Sequence, residues 1–143
     1  MVSPGKMISR IYWCTQAYME KKLGIYGIGS GEVAILMTLH KEDALTQGEI
    51  AEKIHVDKAT VSREVGKLLR NGYLERKRDE RDGRRHIISL SHEGRKIIPE
   101  IKKVLLEWKK ILLHGFSKEE RTFIMKAIEK MEQNAIKAME AMK

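Results

Sequence analysis

The sequence predicts a mainly α-helical chain with one small β-hairpin, an α+β class, on three observations. Between Leu45 and Arg70 two short amphipathic segments are separated only by His55-Val56, so one helix must turn sharply into the next. After them, two β-like runs flank a basic loop with Asp82-Gly83 as its turn signal. On both sides of this unit lie long segments with apolar residues at helical spacing.

Taken in order, Lys6 to Leu23 reads as a first helix, with Met7, Ile11, Cys14 and Tyr18 at 4-3-4 spacing and Ile8 and Tyr12 beside them. Gly24 to Gly31 holds four Gly in eight residues and is expected to be a flexible link. It lacks the Lys-Ser/Thr of a phosphate-binding loop and follows no strand. Glu32 to Lys41 is a second helix, apolar nearly all round at Val33, Ile35, Leu36 and Leu39, and so expected at the centre of the core. A short polar loop, Lys41 to Leu45, follows.

Thr46 with Glu49 forms a capping box that starts a third helix near Gln47, with Ile50, Ala51 and Ile54 as its buried stripe. Asp57 is a good N-cap for a fourth helix, because its carboxylate can take the unpaired amides at the helix start. Val61, Val65, Leu68 and Leu69 line one face of that helix. The opposite face carries Ala59, Arg63, Gly66 and Arg70, flanked by Ser62 and Lys67. Asn71-Gly72 ends it. A solvated face would favour Glu, Lys and Gln, which are better helix formers. Small residues instead let a helix sit deep in a groove, from which Arg and Thr reach base edges and phosphates. A helix-turn-helix puts its second helix in the DNA major groove, its N-terminal residues nearest the bases. The competing reading is a packing helix with a mixed surface.

Tyr73 to Lys77 and Arg85 to Leu90 are the two strands, with Leu74, Ile88 and Leu90 pointing inward. Arg76 to Arg85 holds six cations and three carboxylates. Such a run can be a solvated loop. Directly after a groove-reading helix it suits a hairpin tip in the adjacent minor groove, whose potential attracts inserted Arg.

The run I-A-E-K-I-H-V-D-K-A-T-V-S-R, the exit N-G-Y-L-E-R, the wing motif Asp79-x-Arg81-x-x-Arg84 and the closing I-S-L-S-H-E-G-R resemble the winged helix-turn-helix of the multiple-antibiotic-resistance regulator (MarR) family. The motifs cover about a third of the chain. The resemblance implies that Arg81 enters the minor groove, that Asp79 holds it by a salt bridge, and that Arg84 supports the wing or meets phosphate. It also implies a homodimer. Gly66, inside the fourth helix, departs from what a helix favours and suggests close backbone approach to DNA or to a neighbouring helix.

Ser91 caps a fifth helix running to about Leu113. Ile97, Ile101, Val104, Trp108 and Ile111 repeat along it, and Ile98, Leu105 and Leu112 fall one heptad apart. Gly115 breaks it, and Ser117 with Glu120 opens a last helix bearing Ile124, Ile128, Met131, Ala135, Ala138 and Met142. These stripes exceed what one small winged domain covers. An intramolecular bundle would absorb some of them, and a homodimer with interlocked chain ends would absorb all. Residues 1–143 are thus expected to form a single domain. Residues 30–91 would bind DNA, and residues 1–29 with 92–143 would form a helical dimerisation region.

Net charge is +8 over 143 residues, which favours an anionic partner. Val56 to Lys96 contains twelve Lys/Arg against seven Asp/Glu, a local excess of +5. Cys14 is the one cysteine, so no intrachain disulfide can form and a cytoplasmic setting is expected. The longest apolar run, Val33 to Leu39 with Thr38 inside it, is far too short to span a bilayer, and the amino terminus lacks a signal-peptide core.

Catalytic motifs are missing, and the five His show no metal-ligand spacing, so neither an enzyme nor a metal or organic cofactor is expected. The candidate DNA-binding residues are Lys58, Ala59, Thr60, Ser62, Arg63, Lys67, Asp79, Arg81 and Arg84. Lys6 and Arg10 near Tyr12 and Trp13 mix cations with aromatics in the first helix, a setting for a small anionic effector. The resemblance extends that to an aromatic carboxylate. Cys14 is the redox candidate, though on an apolar stripe it also serves as a small hydrophobe. The expected function is a sequence-specific, ligand-responsive repressor, dimeric on a palindromic operator. The alternatives are a non-specific DNA-architectural protein, a redox-sensing regulator using Cys14, and a protein-interaction module.

Overall fold

The computed structural model describes residues 3–143. Six helices and one hairpin follow in the order α1 (Pro4–Leu23), α2 (Ser30–Lys41), α3 (Gln47–Ile54), α4 (Lys58–Arg70), β1 (Leu74–Arg78), β2 (His86–Leu90), α5 (His92–Leu112) and α6 (Lys118–Ala141). The backbone divides into two compact units, Met1–Trp108 and Lys109–Lys143. Among the described residues no single helix is long and apolar enough to cross a membrane.

Local signals place most of the boundaries. Ser3 caps α1 two residues earlier than the apolar pattern suggests, because Pro4 suits the first turn, where its missing N–H is not needed. Thr46 and Glu49 form the reciprocal capping box of α3, at 3.1 Å each way. Ser117 and Glu120 do the same for α6, at 2.8 and 3.1 Å. Between α3 and α4 the chain turns through His55, whose φ of 56° is left-handed and sharpens the corner.

The core of the first unit surrounds α2, whose Ile35, Leu36 and Leu39 are fully buried, as its all-round hydrophobicity requires. Val61, Val65 and Leu68 of α4 pack there, with Leu74, Ile88 and Leu90 of the hairpin and Ile98, Ile101 and Val104 of α5. The strands pair antiparallel in the register Leu74↔Leu90, Arg76↔Ile88 and Arg78↔His86. Leu45 adds a bridge on the other side of Ile88, at 3.0 and 2.7 Å, which pins β2 to the residue before α3's cap.

Two sequence expectations change here. The Gly-rich link is not a loose tether. It makes a turn of 3-10 helix at Gly24–Tyr26, and Ile28 is buried in the core. Asn71 donates to the Gly27 carbonyl at 3.2 Å and the Tyr73 hydroxyl to the Tyr26 carbonyl at 2.6 Å, so the link is tied to the exit of α4. In α1, only Met19 and Leu23 are buried, whereas Met7, Ile8, Ile11, Tyr12 and Cys14 are exposed. Near its C-terminal half α1 meets α5. Tyr18 stacks on Trp108 with ring centroids 4.7 Å apart, and the Trp108 indole donates to Thr15 at 2.9 Å.

In the second unit, α6 buries none of its residues. Phe123, Ile128, Met131 and Met139 are exposed along it. Met142 lies just past its end as the C-cap, so it is not a helical member of the stripe.

Candidate nucleic-acid interface

Asp57 sets the start of α4. One carboxylate oxygen accepts from the Thr60 amide at 2.8 Å, and the other accepts from the Thr60 hydroxyl at 2.8 Å. These two bonds hold the Asp57 carboxyl below the usual carboxylate range, the amide bond contributing most. The cap fixes the first turn and leaves Lys58, Ala59, Ser62 and Arg63 exposed on its outer side. Thr60 is only half-exposed and its hydroxyl proton goes to Asp57, so what it offers outward is its methyl group and its lone pairs.

Lys67 is placed differently from its neighbours. Its ammonium lies 3.1 Å from Glu32, whose side chain is only 3% exposed in the first turn of α2. Glu32 also accepts from the Gly29 amide at 3.3 Å, capping α2. Burial works against the Glu32 charge, but hydrogen bonding with Glu64 and Lys67 outweighs it and lowers its pKa. Glu64, hydrogen-bonded to that carboxylate, is pushed up, and Lys67 is pushed up by the same partner. Lys67 is itself half-exposed, but removing it would leave the buried Glu32 carboxylate without its cation, which is costly. Lys67 therefore holds α4 against the start of α2.

The interior Gly66 has no neighbouring helix pressed on it. The nearest atom a methyl would meet is the flexible Arg70 tip, at 3.3 Å. Of the two approaches its presence suggests, packing by another helix is removed.

At the wing, Asp79 does not grip the Arg81 guanidinium. Its carboxylate accepts from the Arg81 amide at 3.0 Å, and its cationic partner is Arg85, with Nε at 3.9 Å. Asp82 closes the tip by accepting from the Arg84 amide at 3.1 Å with its side chain and from the Arg85 amide at 3.0 Å with its carbonyl. The turn at Asp82-Gly83 is thus an Asp-stabilised turn, and Gly83 is not among the residues with left-handed φ. Among the described residues, no carboxylate lies within ion-pair distance of Arg81 or Arg84, so both guanidinium groups are free on the tip.

Sequence reasoning missed Arg85, Glu32 and Asn71. Arg85 is one of two adjacent arginines in a charge run, and nothing in the run distinguishes the one that is internally paired. The three-residue step from Gly29 to Glu32 is a capping spacing, and that signal was available.

Lys6, Arg10, Tyr12 and Trp13 are all exposed on α1. The Tyr12 and Trp13 rings meet edge to face at 5.7 Å. The Tyr12 hydroxyl accepts from the Gln16 amide, and Gln16 in turn accepts from the Ser30 hydroxyl, a chain from α1 to the start of α2. Among the described residues no cluster of His, Cys, Asp and Glu could hold a metal ion.

The comparisons with known proteins agree with this geometry. The family profile described as the MarR family matches residues 28–86, from the buried Ile28 through to the first residue of β2. A Bacillus subtilis (strain 168) protein described as the uncharacterized HTH-type transcriptional regulator YwoH is 30% identical over 102 residues, covering 71% of this chain and 74% of its own. The HTH-type transcriptional regulator BilQ of Clostridium symbiosum (strain WAL-14163) is 27% identical over 114 residues, covering 80% and 79%. Among solved structures, a MarR transcriptional regulator from Methanosarcina mazei Go1 superposes with a TM-score of 0.88 at 39% identity, over 94% of this chain and 96% of that one. The transcriptional regulator SlyA, at 20% identity, matches in fold with a TM-score of 0.94 over 99% and 100%. With a helix-turn-helix followed by a two-stranded wing and relatives of this closeness, the chain belongs to the MarR family of winged helix-turn-helix transcription regulators, DNA-binding proteins rather than enzymes.

Proposed function

We propose that the chain is a repressor that binds a palindromic operator as a homodimer, with α4 in the major groove and the wing tip in the flanking minor groove. The observation that carries this reading is the division of labour among the arginines. Arg63 stands on the outer face of α4 with only a long 3.8 Å contact to Glu64, while Arg81 and Arg84 are unpaired on the tip. Two such units related by a two-fold axis would meet half-sites about one helical turn apart. The exposed apolar faces of α1 and α6 are the surfaces a second copy would cover.

Mutation separates the contact classes. Arg63→Ala should cost roughly 1–3 kcal/mol and relax specificity at one base position in each half-site. Arg84→Ala should weaken operator and random DNA alike and flatten the salt slope by about one unit, as loss of a phosphate contact does. Arg81→Ala should hurt most where the flanks are A·T-rich. These are read by fluorescence anisotropy on an operator recovered by selection from randomised duplexes. Unchanged binding by both Arg63→Ala and Arg81→Ala would sink the docking. Equal affinity of the unmodified protein for operator and random DNA would favour the architectural reading instead.

The proposal includes a small aromatic carboxylate as effector. The solved structure of PcaV from Streptomyces coelicolor is described in complex with its natural ligand, which makes a small molecule a sensible object of test here. On this chain the candidate groups are Lys6 and Arg10, for which no carboxylate lies within ion-pair distance among the described residues, beside Tyr12 and Trp13. A tenfold preference for the weak-binding state shifts operator affinity by at most about 1.4 kcal/mol. Operator affinity titrated with benzoate should fall, acetate at the same ionic strength should do nothing, and Arg10→Ala should abolish the difference. Equal effects of both acids would mean screening alone.

A further inference from the structure

We propose that Arg85 is a positioning residue that fixes the wing against α3 and so sets how far Arg81 stands from the recognition helix. The role presupposes the groove docking proposed above. Arg85 ends the wing tip, immediately before β2. Its Nη2 lies 3.4 Å from Glu49 of α3, and its Nε lies 3.9 Å from Asp79 across the tip. Both carboxylates are already held by backbone. Glu49 accepts from the Thr46 amide at 3.1 Å as part of the α3 cap, and Asp79 accepts from the Arg81 amide at 3.0 Å.

That prior anchoring matters physically. An exposed ion pair is weak chiefly because two long side chains must be ordered to form it. Here only one is ordered, between two partners that local hydrogen bonds have already oriented. The clamp therefore adds little to global stability but joins two specific points: the start of the helix-turn-helix and the amide of the groove-entering arginine.

Little else braces that joint. The Leu45–Ile88 bridge pins β2 at its inner half. Outward from it, the wing and α3 are separated by a cleft of about 430 Å³ lined by Thr46, Gln47, Arg76, Arg85 and His86, with no apolar side chain among them. The angle of the tip then depends on the Arg85 contacts, and with it the separation between Arg63 in one groove and Arg81 in the next.

A phosphate ligand and a positioning residue behave oppositely in one respect. Removing a carboxylate beside DNA ordinarily strengthens binding through relief of repulsion. Glu49→Gln keeps the oxygen that caps α3 but deletes the charge that holds Arg85. The test measures full-length protein by anisotropy on two duplexes sharing the selected operator, one with A·T-rich and one with G·C-rich flanks, across a salt series. Arg85→Gln and Glu49→Gln should each lower the A·T-over-G·C preference at least threefold, leave the salt slope unchanged, and leave thermal unfolding nearly where it was. In the Arg85→Gln background, Arg81→Ala should then add little. A salt slope reduced by about one unit in Arg85→Gln would make Arg85 itself the phosphate contact and overturn the proposal. So would retained flank preference in both variants while Arg81→Ala still abolishes it. If the unmodified protein shows no flank preference and Arg81→Ala changes nothing, the minor-groove docking fails, and the clamp with it.

Discussion

Gly94→Ala should destabilise the fold by about 3 kcal/mol, because the added methyl cannot be accommodated by a side-chain movement. Gly94 is buried in the first turn of α5, and a Cβ there would overlap the Tyr73 carbonyl oxygen and lie 3.2 Å from the carbonyl carbon. That oxygen is not free to move away. It accepts from the Ser91 amide at 3.0 Å, while the Ser91 hydroxyl donates to the Gly72 carbonyl at 2.6 Å and accepts from the Gly94 amide at 3.0 Å. The alanine must therefore displace backbone at the point where α4 ends, β1 begins and α5 starts. Denaturant unfolding should show a lower midpoint with an unchanged slope. A loss below about 1 kcal/mol would mean that this junction is more yielding than its hydrogen bonds imply.

Ile128→Glu should give the largest functional loss, about a hundredfold or more in operator affinity, without touching a DNA-facing residue. Ile128 is 54% exposed and Met131 43%, on a helix that buries nothing of its own. A carboxylate in the centre of the proposed dimer interface would be buried without a partner, which association cannot repay. Separate monomers must then bind each half-site independently and lose the effective concentration that linkage provides. Sedimentation should show a dimer for the unmodified protein and monomers or aggregates for the variant. A variant that stays dimeric with unchanged operator affinity would place the dimer interface elsewhere.

The helix-turn-helix was legible because each of its signals is local. Capping residues, three-residue spacings and an apolar stripe are written within a turn or two of the positions they control, so Thr46, Asp57 and Ser117 announce their helices directly. The inward set Leu74, Ile88 and Leu90 followed from alternation alone. What stayed hidden depends on partners distant in the chain. Lys67 and Glu32 are 35 positions apart, and the outer-face wheel of α4 cannot tell a cation facing a groove from one turned back to a buried carboxylate. The same holds for Arg85 and Glu49, 36 apart. In the wing, the motif suggested a salt bridge between Asp79 and the Arg81 side chain, whereas the short loop lets the carboxylate reach the Arg81 amide first. The Gly-rich link reads as loose for a related reason. Glycine content reports freedom in the unfolded chain, and says nothing of the Asn71 and Tyr73 hydrogen bonds that remove it.

The hairpin has one more property, which concerns crowding of the protein with copies of itself. A two-stranded sheet has two open edges, and unpaired edges are templates for strand addition and aggregation. Neither edge of this one is inviting. On the β2 side, the Leu45 bridge occupies the amide and carbonyl of Ile88. On the β1 side, four of the five residues, Glu75, Arg76, Lys77 and Arg78, are charged and exposed. The cations that favour nucleic acid therefore also repel a second hairpin, so the wing can project from the body of the molecule without polymerising with its neighbours.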